Sequence, residues 1–70
     1  MKSERPAWAV NVRVMRAKLG LSQAELAKKS GVSKPAVSNI ERGRNAPSLQ
    51  VMTKLADVLG CSLDELAGRK

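Results

Sequence analysis

Between residues 34 and 45 the chain sets out an ammonium group at Lys34, a hydroxyl at Ser38, carboxamides at Asn39 and Asn45, and guanidinium groups at Arg42 and Arg44. These groups donate and accept hydrogen bonds but include no base matched to a nucleophile. The chain has no histidine, so Ser22, Ser33, Ser48 and Ser62 lack an imidazole to activate them. The chemistry on offer is recognition. An Asn can bond adenine through two hydrogen bonds, a Lys can reach the acceptors of guanine, and a small apolar surface such as the Pro35 ring can meet a thymine methyl. Arg42, Arg44 and Asn45 would then grip phosphates, which position a protein on a duplex without reading its sequence.

Those groups act together only if one element holds them on one side. At 100° per residue, a helix over 34–42 sets Val37 and Ile40 together with Ala36 beside them, and turns Lys34, Pro35, Ser38, Asn39 and Arg42 the other way. Ser33 is its N-cap, and Pro35 falls in the first turn, where it removes no helical hydrogen bond. Before it, Ser22 and Glu25 form a capping box that opens a helix over 23–30, and Gly31 stops that helix. The start of this second helix leaves free N–H groups at Gln23, where a phosphate could sit.

The same punctuation runs through the rest of the chain. Pro6 suits the first turn of a helix over 7–18, which Leu19-Gly20 ends. Gly43 breaks the third helix, Arg44 to Pro47 reads as a loop, and Ser48 opens a fourth helix over 48–59 that Gly60 closes. Ser62 and Glu65 form a second capping box for a short fifth helix over 62–67, where Asp64 and Glu65 answer the helix dipole rather than act as a catalytic pair. Val12, Leu19, Leu21, Leu26, Ala27, Val32, Val37, Ile40, Leu49, Leu55, Leu59, Leu63 and Leu66 recur mostly at helical spacing, so the fold is all α, a five-helix bundle. Trp8, the only aromatic residue, covers the edge of the core. Val51, Met52, Val58 and Leu63 exceed what so small a core needs and offer a dimer surface.

A polar helix face is also what any solvated helix carries, and helix pairs joined at a glycine occur in unrelated bundles. Charge narrows the choice. Of 70 residues, 13 are Lys or Arg and six are Asp or Glu, a net +7. Residues 1–44 hold ten basic and three acidic side chains, and residues 45–70 hold three of each. The whole excess thus accompanies the helix pair, which fits a polyanionic partner. Lys28, Lys29, Arg13 and Lys18 either solvate their helices or add phosphate contacts. Cys61 stands alone, so no intrachain disulfide and no thiolate metal cluster is expected, and it reads as a small core residue. No uncharged run approaches the ~20 residues of a membrane span, and the start MKSER lacks the apolar stretch of a signal peptide. A cytoplasmic protein is expected.

The stretch LSQAELAKKSGVSKPAVSNIERGRNAPSLQVMTKLADVLGCSLDEL resembles the helix-turn-helix domain of phage repressors and Cro proteins, the XRE family. The resemblance implies a lambda-repressor-like bundle whose third helix is the recognition helix. It places phosphate contact on Gln23, at the start of helix 2, and base contact on Lys34, Pro35, Ser38 and Asn39. Arg16 of helix 1 and Glu41 match an ion pair whose role is structural, alongside Ser22, Glu25, Gly31 and Ser33, which shape the helix pair. Relatives often carry Gln, Ser or Thr where this chain has Pro35, so methyl contact or shape takes the place of polar readout there.

The implied function is a sequence-specific regulator of transcription, a repressor bound to double-stranded DNA. One helix per subunit reads only a few base pairs, so a homodimer on a palindromic operator is expected. The alternative is an antitoxin that binds a toxin partner and represses its own operon; the end at Gly68-Arg69-Lys70 leaves no obvious toxin-binding tail. A purely protein-binding module is the third reading. Catalysis, a cofactor, a metal and a membrane partner are not expected.

Overall fold

The structure is a computed structural model that describes residues 6–68; the MKSER start and the Arg69-Lys70 end invoked above lie outside them. Five helices follow in order: α1 (Ala7–Lys18), α2 (Gln23–Ser30), α3 (Lys34–Glu41), α4 (Leu49–Leu59) and α5 (Leu63–Ala67). Among the described residues there is no strand, and no helix is long and apolar enough to cross a membrane.

The helices begin where side-chain oxygens can replace lost backbone partners. The hydroxyls of Ser22, Ser33, Ser48 and Ser62 accept from the N–H of Glu25, Ala36, Val51 and Glu65 respectively. In both capping boxes the Glu side chain returns the bond, accepting from the Ser22 and Ser62 N–H at 2.8 Å. Four boundaries differ from the sequence reading. Pro6 is the N-cap of α1 rather than part of its first turn, because its ψ of 153° is extended. Ser48 and Ser62 stand outside their helices as N-caps. Arg42 is the C-cap of α3, and the next two N–H groups, of Gly43 and Arg44, fold back onto the Ile40 and Asn39 carbonyls at 3.0 and 3.1 Å. That pair of bonds is a Schellman motif, which requires the left-handed φ of 74° that Gly43 supplies.

Val12, Leu26, Val37, Leu55 and Leu66, one from each helix, are fully buried and meet at the centre. Two expected core positions turn outward. Leu19 is 51% exposed because it caps α1 beyond its last packed turn, and Leu49 is 72% exposed at the first position of α4. Met52, named as surplus apolar surface, is instead a core residue, and Val51, Val58 and Leu63 pack against that core, as do Trp8 and Cys61. Burial pushes the Cys61 thiol above its ordinary pKa, so its thiolate form is further disfavoured.

Candidate nucleic-acid interface

The α2–α3 turn is set by Gly31, whose φ of 77° is open to glycine and strained for other residues. It leads through buried Val32 to the Ser33 cap. From there α3 divides cleanly. Val37, Ile40 and Glu41 are buried against the bundle, Ser38 and Asn39 are half-buried, and Lys34, Pro35 and Arg42 are exposed. The four expected base readers therefore all lie off the buried side of one helix. Arg44 and Asn45 are exposed immediately beyond it, and the Schellman bond of the Arg44 N–H fixes where the first of them leaves the helix.

Glu41 explains how α3 is held at its angle. Its carboxylate, 5% exposed, accepts from Arg16 Nε at 2.6 Å and Arg16 Nη2 at 3.0 Å, a two-pronged contact between α1 and α3. Arg16 Nη1 donates in turn to the Leu21 carbonyl at 2.7 Å. One guanidinium thus joins α1, the approach to α2 and the end of α3. The Glu41 carboxylate raises the pKa of Arg16 through that hydrogen bond, against the effect of burial.

Gln23 occupies a position the sequence did not reveal. Its Nε2 donates to Glu41 Oε1 at 3.2 Å, so the side chain expected on phosphate is already tied to the buried carboxylate. An amide nitrogen carries two protons, and the second stays available. Around it, Arg13, Arg16, Gln23, Glu41 and Arg42 line a polar depression of about 300 Å³. A second depression, about 240 Å³, is lined by Ala36, Asn39, Ile40, the Asn45-Ala46-Pro47 loop and Val51. Asn39 thus borders an apolar hollow as well as solvent. Among the described residues no group of three His, Cys, Asp or Glu could hold a metal.

A family model described as helix-turn-helix, HTH_3, matches residues 12–66. An uncharacterized HTH-type transcriptional regulator of Bacillus subtilis, YazB, is 39% identical over 64 residues, covering 91% of this chain and 93% of its own. The restriction-modification controller protein C.AhdI of Aeromonas hydrophila superposes with a TM-score of 0.82 at 36% identity, over 87% of this chain and 92% of its own. The P22 c2 repressor, solved in complex with a synthetic operator, superposes with a TM-score of 0.81 at 34% identity, over 91% of this chain and 94% of its own.

Proposed function

The chain belongs to the HTH_3 helix-turn-helix family of XRE-type, DNA-binding transcriptional regulators, and on that premise we propose that it is a repressor that binds a palindromic operator as a homodimer. The observation that carries this reading is the two-sidedness of α3. Its buried side is locked to α1 through the Arg16–Glu41 pair, which leaves Lys34, Pro35, Ser38 and Asn39 as a rigid reading edge. In this reading α3 enters the major groove, Lys34, Ser38 and Asn39 bond base edges, and the Pro35 ring meets a thymine methyl. Arg42, Arg44 and Asn45 grip the flanking backbone, and the N–H groups at the start of α2 take one more phosphate, with the free proton of the Gln23 amide beside them.

The homodimer follows from the small number of base pairs that one helix can read. Leu49, 72% exposed, lines a depression of about 260 Å³ with Met52, Leu63, Asp64 and Ala67, and offers surface for the second copy. Enrichment of bound sites from a random duplex pool tests the whole reading. It is expected to return two inverted half-sites about 34 Å apart, one DNA turn. Failure to enrich any sequence at low salt would reject it.

A protein partner is the second reading, because the structures similar to this chain include SinR in complex with SinI, at a TM-score of 0.81 and 37% identity. An antitoxin would copurify with a second small protein from its own host, and that complex would still retain DNA.

A further inference from the structure

The outer face of α1 is unexplained by either the core or the reading edge. Ala7, Val10, Val14 and Ala17 are all exposed, with Val10 at 43% and Val14 at 45%. Their spacing of three, four and three residues draws one straight stripe about 15 Å long on the side of the helix opposite buried Ala9 and Val12. Valine has no local reason to be there, since a β-branched side chain lowers helix propensity and an outward position gives it nothing to pack against. Of the four large hydrophobic residues exposed among the described residues, Val10, Val14 and Leu19 all lie on α1 or its C-cap. Leu19 points to the other side of the helix, so the stripe itself gathers Val10 and Val14.

Charge decides what fits it. Arg13 and Lys18 flank the stripe on opposite sides, and α1 contains no acidic residue. A second copy laid stripe to stripe would set these cations against their own kind, which opposes pairing. We propose that the outer face of α1 docks an acidic amphipathic helix of another protein, its apolar residues between Val10 and Val14 and its carboxylates on Arg13 and Lys18. Arg16, which meets α3, lies about 140° around α1 from the middle of the stripe. Arg13 also borders the depression beside Gln23 and Arg42, so a partner on the stripe and a DNA backbone in that depression would share this one cation.

The test uses three synthetic helical peptides with leucine at the a and d positions and glutamate, glutamine or lysine at e and g, titrated into the isotopically labelled protein. Amide shifts at Val10, Val14 and Ala17 are expected, with the glutamate peptide bound about fivefold tighter than the glutamine one, the size of two exposed ion pairs. The lysine peptide should bind weakest. Val10→Ser with Val14→Ser should weaken the glutamate peptide on the order of tenfold while keeping the fold and DNA binding. Arg13→Glu with Lys18→Glu should reverse the preference towards the lysine peptide. Equal binding of the first two peptides overturns the proposal, as do shifts confined to Lys34 and Asn39 or the absence of binding. Concentration-dependent shifts of the same stripe without peptide would assign the face to a second copy instead.

Discussion

Asn39 and Arg44 separate specificity from affinity. Asn39 belongs to the reading edge, so Asn39→Ala should lose about 1–3 kcal/mol on the preferred operator and little on other sequences, flattening the preference at one base pair. Arg44 meets only the charged backbone in this reading. Arg44→Ala should therefore weaken specific and non-specific binding alike and make the slope of log K against log salt shallower by about one. Equal losses from both variants on every sequence would remove α3 as the reader. Arg16 raises a different question, because the pair it forms is held in a bundle with little exposure, 18% for Arg16 and 5% for Glu41. Arg16→Met strands a buried carboxylate and should lower stability by about 3 kcal/mol, whereas Arg16→Met with Glu41→Leu should recover most of it. If the pair exists to aim α3, the double variant regains its melting temperature but not its operator affinity. Full recovery of both would make the pair a packing detail. Sequence resemblance alone suggested this pair; the Gln23 bond to the same carboxylate was illegible, because an amide at a helix start looks identical whether it turns to solvent or inward.

Capping explains why the elements were readable at all. Each N-cap Ser meets a local donor three residues on, so the signal that starts α2, α3, α4 and α5 is contained within a short stretch of sequence. The Ser22 N–H and hydroxyl hold the Glu25 carboxyl below the ordinary glutamate range. A lowered folded-state pKa adds stability above the unfolded value of about 4.3 and loses it as pH falls through the folded value. The melting temperature should thus fall between pH 5 and pH 3, and Glu25→Gln, which keeps an acceptor without a titrating charge, should fall less steeply. The docking of α5 was not readable, since it depends on residues far apart in the chain. Asn11 Nδ2 of α1 donates to the Glu65 and Leu66 carbonyls at 3.2 Å each, satisfying the end of a five-residue helix. Gly68 then passes so close to α1 that an added Cβ would lie 2.5 Å from the Ala7 Cβ. Gly60 has a similar φ, +72° against +86°, and open space around it. Gly60→Ala should cost about 1–2 kcal/mol from the left-handed backbone alone, and Gly68→Ala clearly more, with loss of hydrogen-exchange protection concentrated in α5. Equal costs would mean that α5 does not rely on its seat against α1.

At the scale of the molecule, what the sequence withheld was the set of faces that point outward. Helical spacing ranks Leu49 and Leu55 alike, yet one is 72% exposed and the other fully buried, because exposure depends on which neighbour α4 meets and not on its own period. The homodimer hypothesis therefore has to be tested on geometry. The folded chain measures 35 × 26 × 23 Å over its described residues, so the centres of two copies in contact lie between about 23 and 35 Å apart. One turn of DNA, about 34 Å, falls in that range, and two turns, about 68 Å, do not. A rigid dimer should bind an operator at its native spacing and lose that affinity when five base pairs are inserted between the half-sites, because the second half-site rotates to the far side of the duplex. An insertion of ten base pairs restores the facing but adds about 34 Å, so binding should stay at the level of a single half-site. Two copies joined loosely would instead recover at ten. Retention of full affinity at both insertions would show that each half-site is bound independently and that this domain reads DNA as a monomer.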